Sequence, residues 1–376
     1  MSRIVKRDKG YFAEFTKGAG KTRYRKQKTF KKKSDAEEWL IEMEHEYKQG
    51  GGISSKADML FAEYYKQWIT MYKSPIVSAN TIDGYRSSHS RISSNRLGQI
   101  KLRDLTRDDI QIYFNNLNKS HETARKDLNR IRACLRDAFN DGIIQRNPSA
   151  GSINIIADPN LTKGNDRKFM AIKDFRNLQK YLLNSSYNLL DVNRVILFVI
   201  SQTAMRVGEC LALKEDDIDE INCTLRVDES WDSHHKVLKQ PKTQNSIRVL
   251  PVSREVMNKL TEWVRYHRKE LFKRGIHNKD KLIFLNYKSK LPMSASINTT
   301  YKRLQQNLGL TGVFSTHTMR HTIASMMLNS GEISLVYISR FLGHSNVSIT
   351  QKYYIDLLPD QVANEDKKVV KLLVFA

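Results

Sequence analysis

Three short stretches in the second half of this 376-residue chain gather residue types that handle a phosphate. "TAMRVGEC" carries Arg206 with Glu209 three residues on, and "STHTMRHTIASMMLNSG" carries His317, Arg320 and His321. "LGHSNVSITQKYY" carries His344 and two adjacent tyrosines, Tyr353 and Tyr354. His317 and His321 stand at i, i+4, a spacing that lets two imidazoles meet one Zn²⁺. The metalloprotease arrangement needs Glu directly after the first His, but Thr318 is there, and no third ligand lies close by in the chain. His317 with Arg320, at i, i+3 on one helical face, suits an anion instead. Two guanidinium forks on the non-bridging oxygens of one phosphodiester offset the added charge of a pentacoordinate transition state. A tyrosine can then attack phosphorus and hold one nucleic-acid end covalently, and a lysine can protonate the leaving alkoxide. Taken singly, each residue has an ordinary reading as a helix-end contact or a core aromatic; the conjunction points to phosphoryl transfer.

The lysine is expected at Lys242 in "KTQN", a turn between the strand-like stretches 235–240 and 246–252, which places it at a hairpin tip. Lys239 is a weaker rival for that role. A third strand is expected at 224–230, and helices dominate the rest of the chain from about 169, including the apolar run that ends just before Arg206.

Upstream, 57–150 reads as all-helical. Leu60, Phe61, Tyr64, Trp68 and Met71 form one apolar stripe, and further helices are expected over 79–92, 106–118 and 120–140. The last has Leu128, Ile131, Leu135 and Phe139 on one face and Arg125, Lys126, Arg130 and Arg132 on the other, either a solvated surface or one that meets DNA. Residues 1–49 begin with strand-like "GYFAEFT" and "TRYRKQKTF" about a "KGAGK" turn; a helix follows, with Ser34 as its expected N-cap and Glu37 completing a capping box. "GGGISS" (50–55) and the Pro/Gly/Asn-rich 147–168 read as linkers. The expected architecture is therefore multidomain: a small α+β domain at 1–49, an all-α domain at 57–150, and a mainly α domain at 167–376 with a small antiparallel sheet.

Charge agrees with the chemistry. The formal net charge is +23, and residues 1–33 alone hold 13 Lys/Arg against Asp8 and Glu14. Such a field attracts a polyanion, and the basic segment lacks the apolar face that an anionic membrane would need. Within it Lys21, Arg23, Arg25, Lys26 and Lys28 are the candidate DNA contacts, joined by Arg125, Lys126 and Arg130. Cys134, Cys210 and Cys223 are widely spaced with no CxxC pair, which argues for a reducing compartment and against both a disulfide framework and a structural zinc. The apolar run 195–200 is far short of a membrane span. The expectation is a soluble protein of the bacterial cytosol, associated with the nucleoid.

The ordered boxes "TAMRVGE", "PKTQNSIRVLP", "HTMR", "LGHSN" and "TQKYY" resemble those of the tyrosine recombinase (phage integrase) family. The resemblance covers 167 to about 360; 57–150 resembles that family's core-type DNA-binding domain and 1–49 its arm-type domain. It implies that Arg206 and Arg320 clamp the scissile phosphate, His317 and His344 donate hydrogen bonds to it, and Lys242 protonates the 5′ oxygen. Glu209 would support the site from behind. The family's spacing from "LGH" selects Tyr353 as nucleophile, nine residues after His344, and leaves Tyr354 a bystander. Ala204 and Met205 depart from the family's usual Gly-Leu before Arg206. The implied reaction is site-specific recombination through a 3′-phosphotyrosyl link, without ATP, metal or other cofactor, by four protomers on two double-stranded sites. An excisionase and a DNA-bending host protein are expected partners. The apolar end of the chain, "VVKLLVFA", is expected to dock on a neighbouring protomer or on its own domain. A non-catalytic DNA-binding regulator leaves the five boxes unexplained, and neither a type IB topoisomerase nor a chromosome-dimer-resolving recombinase accounts for the arm-like domain.

Overall fold

The structure, a computed structural model, describes residues 2–8, 10–17, 24–47, 55–161, 169–240, 246–310, 312 and 314–355. Lys21, Arg23, Lys242, most of the "GGGISS" linker, residues 162–168 and the C-terminal tail lie outside the described residues. The chain divides into two compact units, Met1–Lys163 and Gly164–Ala376, and the division falls inside the stretch read as the second linker.

The first unit opens with an antiparallel sheet of order β1-β2-β3, formed by β1 (Arg3–Arg7), β2 (Gly10–Lys17) and β3 (Tyr24–Phe30). Helix α1 (Lys33–Glu46) packs on it, burying Ala36 and Met43 with Ala13 and Phe15 of β2. The expected Ser34 cap is corrected. The helix already begins at Lys33, so Ser34 lies inside it, where its hydroxyl donates to Asp35 and Lys33 pairs with Glu37 at i, i+4. On the sheet face away from α1, the buried Glu14 accepts from Arg3 Nε (2.7 Å), from Gln27 Nε2 (2.9 Å) and from Arg25. The Gln27 amide, helped by Arg3 and Arg25, holds the Glu14 carboxyl well below the usual range against the cost of burial.

Four helices build the rest of this unit: α2 (Phe61–Trp68), α3 (Ala79–Ser93), α4 (Arg107–Asn115) and α5 (His121–Asn140). Phe61, Tyr64 and Trp68 are buried as the stripe predicts and Tyr65 is buried beside them, whereas Met71 and Phe139 are exposed. Met71 falls on a π-helical turn, Ile69–Lys73, which rotates it off the α2 stripe. Part of the basic face of α5 turns inward. Asp127, fully buried, takes a bidentate pair from Arg91 (2.7 and 2.7 Å) and a third donor from Arg130, whose guanidinium lies over Tyr85. Gly84 makes room for it, since a Cβ there would lie 2.4 Å from Arg130 Nη2. Arg132 donates to the Ser149 and Gly151 carbonyls. Arg125 and Lys126 stay exposed and share Glu122.

In the second unit, helix α7 (Val192–Thr203) is buried along its length, as an apolar-all-round helix must be. Around it pack α6 (Ile172–Asn184), α8 (Val207–Leu211), α10 (Ser294–Asn307) and α11 (Thr316–Ser330). Among the described residues, five short strands lie between α8 and α9 (Arg254–Lys273): β4 (Ile218–Asp219), β5 (Thr224–Val227), β6 (Ser230–Asp232), β7 (Val237–Lys239) and β8 (Arg248–Pro251). The expected hairpin around Lys242 is corrected. β7 pairs with β6, while β8 pairs with β5 at the edge of the β4-β5-β8 sheet, so the strands flanking "KTQN" belong to different sheets. Lys239 is held in an ion pair with Asp232. Two further helices follow, α12 (Leu335–Leu342) and α13 (Val347–Ile355), the latter packed on α11 and α12. No helix among the described residues is long and apolar enough to cross a membrane.

Helix α7 ends at Ala204, a non-glycine residue at φ 55°. A left-handed alanine costs about 1 kcal/mol. Its methyl is fully buried in a small cluster with Ala324, Leu328, Ile338 and Leu342, and burying a methyl contributes about 0.8 kcal/mol. The two effects nearly cancel. Ala204→Gly is therefore expected to shift unfolding free energy by less than about 1 kcal/mol, as read by thermal melting.

Candidate active site

Arg206 is the N-cap of α8, and Glu209 occupies the third helical position behind it. That spacing is the reason for the Arg-x-x-Glu pattern, because an N3 carboxylate reaches back to the N-cap amide. Glu209 Oε2 accepts from the Arg206 backbone N–H at 2.9 Å, and Oε1 accepts from Arg206 Nη1 at 2.6 Å. Glu209 is buried, yet hydrogen bonds and charge from Arg248, then the charge of Arg206, keep its carboxyl below the usual range despite desolvation.

Arg320 projects from α11 and is only 3% exposed. Its Nη1 donates to the Ala204 carbonyl at 2.8 Å and its Nη2 to the Leu342 carbonyl. Helix α11 is seated by Asn298 of α10, whose Oδ1 accepts the Thr316 N–H at 2.9 Å. One residue later comes His317, its ring 4.4 Å edge-on from that of His321. Burial, then the charges of Arg320 and Arg206, push the His317 imidazole below its ordinary pKa. The i, i+3 pairing of His317 with Arg320 thus sits in the field of both arginines.

Gly343 ends α12 in the left-handed conformation, φ +64°. Its carbonyl accepts from Arg206 Nη2 at 3.1 Å. Next comes His344, buried, with Nδ1 2.8 Å from the Thr350 hydroxyl of α13. Burial, followed by the charges of Arg320 and Arg206, pushes His344 down to about 3, so it is neutral at physiological pH. The Thr350 contact at Nδ1 orients the ring.

Arg206, Arg320 and His344 therefore meet around the end of α12, with Glu209 behind Arg206 and His317 in the charge field of both arginines. Tyr353 and Tyr354 belong to the last described turn of α13, the helix that carries Thr350. Lys242 lies outside the described residues. Two participants escaped the sequence reading, Thr350 and the buried Arg248. "SNVSITQKYY" gave no reason to single out a threonine. Arg248 shares a strand face with the apolar Leu250, but its neighbours Ile247 and Val249 are equally apolar, so alternation does not single it out.

Two family models match the chain, the phage integrase family over residues 173–359 and the phage integrase SAM-like domain over 59–155. The chain belongs to the phage integrase family. A tyrosine recombinase XerC-like protein from Caldanaerobacter subterraneus subsp. tengcongensis is 27% identical over 292 residues, 73% of each chain. The ICEBs1 integrase of Bacillus subtilis is 31% identical over 175 residues, 46% of each. In fold, the chain is similar to the Tn1549 transposon integrase solved with a circular-intermediate DNA. That match has a TM-score of 0.67 and 18% identity, covering 83% of this chain and 99% of that one. It is also similar to a lambda integrase dimer bound to a core site, with a TM-score of 0.56 and 18% identity over 80% and 97% of the two chains. As an integrase it is a site-specific recombinase that cleaves and rejoins DNA.

Proposed function

We propose that this integrase moves a phage or other mobile element by attack of Tyr353 on a DNA phosphodiester held between Arg206 and Arg320. The observation that carries this reading is the convergence of both arginines and His344 on one helix end, with His317 in the charge field of both arginines. In the first step the Tyr353 oxygen forms a bond to phosphorus while the bond to the 5′ oxygen breaks. The phenolic proton passes to the neutral imidazole of His317, and the departing alkoxide takes one from Lys242. The arginines take up the extra equatorial charge, with neutral His317 and His344 as further N–H donors. Rejoining is the same displacement run backwards by a 5′-hydroxyl, so the energy of the broken bond is kept in the phosphotyrosyl link.

Double-stranded DNA is the substrate, as in the integrase complexes above. Residues 57–150 would grip the core site, with the exposed Arg125 and Lys126 facing its backbone. Residues 1–49 would bind a separate arm site. There Glu14 holds Arg3, Arg25 and Gln27 on the sheet face away from α1, an arrangement suited to base edges. Lys26 and Lys28 sit opposite Phe15 and Ala13, on the side of α1, and would add backbone charge. Four protomers on two sites, helped by an excisionase and a DNA-bending host protein in the bacterial cytosol, complete the reading.

The test is a nicked suicide duplex, chosen from a randomised pool by binding to the wild-type protein. A covalent adduct resistant to denaturant is expected, and its absence would overturn the reading. In the same assay Thr350→Val is expected to lower the single-turnover rate about tenfold, a fraction of what acid–base groups supply, with duplex affinity unchanged. Wild-type rate in this variant would mean that the Thr350 bond does not set the working state of His344.

A further inference from the structure

We infer that Arg248 is a positioning residue of the strand-transfer site, acting through Glu209 and the last turn of α12. This rests on the reading of Arg206 and His344 as phosphate-binding groups. Arg248 opens β8, and its side chain is 2% exposed. A guanidinium buried this deeply carries a desolvation cost that an apolar side chain of similar volume would avoid. Its acceptors indicate what it is for. Nη2 donates to Glu209 Oε2 at 2.8 Å, Nε to the Phe341 carbonyl at 2.8 Å, and Nη1 to the Ser246 carbonyl at 3.1 Å.

The first bond fixes the carboxylate that holds Arg206. Glu209 Oε2 is shared by Arg248 and the Arg206 amide, while Oε1 takes the Arg206 guanidinium. With one oxygen pinned from behind, the plane of the carboxylate is set, and with it the direction of the Arg206 fork. The second bond completes a pattern at the end of α12. Phe341, Leu342 and Gly343 offer three consecutive carbonyls, and each accepts from a different arginine: Arg248, Arg320 and Arg206 in that order. The final carbonyls of a helix have no partner within it and form its negative pole, which suits three cations. His344 leaves the helix directly after this turn. Gly343 fits closely beneath, since a Cβ there would lie 2.8 Å from Arg248 Nη1. Arg248 therefore braces Arg206 through Glu209 and braces the His344 turn through Phe341, without itself reaching the outer side of the site.

The test uses the full chain, the same suicide duplex, and two variants. Arg248→Met keeps length and loses charge; Arg248→Lys keeps charge but cannot span three acceptors as a planar fork does. At saturating protein, single-turnover cleavage is expected to fall about 10²-fold in Arg248→Met, the cost of misplacing a reacting group by about an ångström. Arg248→Lys is expected to recover part of it, leaving a deficit of about tenfold. Duplex affinity should change less than threefold in both. Cleavage within twofold of wild type in both variants overturns the inference. So does loss in Arg248→Met that follows its melting curve while Arg248→Lys cleaves at the wild-type rate, since that is the behaviour of a merely structural residue. Arg206→Ala serves as the control, and an adduct formed by it at the wild-type rate would remove the underlying reading of the site instead.

Discussion

Tyr353→Phe is expected to leave no covalent protein–DNA adduct on the suicide duplex, while Tyr354→Phe forms it at close to the wild-type level. Both tyrosines lie in α13, and adjacent helical residues point about 100° apart. One phosphate cannot be served by both. Deleting the nucleophile of a covalent enzyme costs on the order of 10⁶-fold in rate, so the Tyr353 variant should be silent even after long incubation. Phenylalanine keeps the ring, and duplex affinity with its steep salt dependence should survive, because phosphate contacts by Lys and Arg supply it. Mapping the DNA-linked peptide of the wild-type protein gives the same answer independently. An adduct that persists in Tyr353→Phe and disappears in Tyr354→Phe moves the nucleophile by one residue and breaks the nine-residue spacing from His344.

How much of this site could be read in advance depended on the element that carries each residue. His317 and Arg320 share a helix, where i, i+3 spacing means one face, so their partnership was legible from four letters. Arg206 and Glu209 were legible for a related reason, as N-cap and N3 of a short helix. Arg248 was hidden by strand parity. In "SIRVLPV" the apolar Ile247 and Val249 invite burial and Arg248 invites exposure, yet the strand turns the other way, with Ile247 52% and Val249 58% exposed. What reverses the parity is the buried Glu209, a partner 39 residues away that no local pattern announces. The pairing of β7 with β6 was missed because three-residue strands contain too little alternation to fix a partner. The basic face of α5 divides. Arg125 and Lys126 are exposed, but Arg130 turns inward to Asp127, a choice made by the tertiary gap over Gly84.

Arg206 and Arg320, proposed to clamp the phosphate, should separate when each is removed. Arg320→Ala is expected to reduce cleavage by on the order of 10³-fold or more, the scale on which arginines act in phosphoryl transfer. It should also destabilise the protein by roughly 3 kcal/mol, since the buried carbonyls of Ala204 and Leu342 lose a charged donor. Arg206→Ala is expected to lose a similar factor in rate but only about 1 kcal/mol in stability. Its side chain is 40% exposed, and Glu209 keeps Arg248 as a partner when Arg206 is gone. Denaturant unfolding and single-turnover cleavage on the same two variants read these effects apart. Equal destabilisation by both would mean that Arg206 is anchored as deeply as Arg320. The asymmetry has a chemical sense: Arg320 sits in the floor of the site with its position fixed by two carbonyls, while Arg206 sits at its opening, steered from behind by a carboxylate. Substrate charge would then arrive against one rigid fork and one directed fork, and neither has far to move when the phosphorus becomes pentacoordinate.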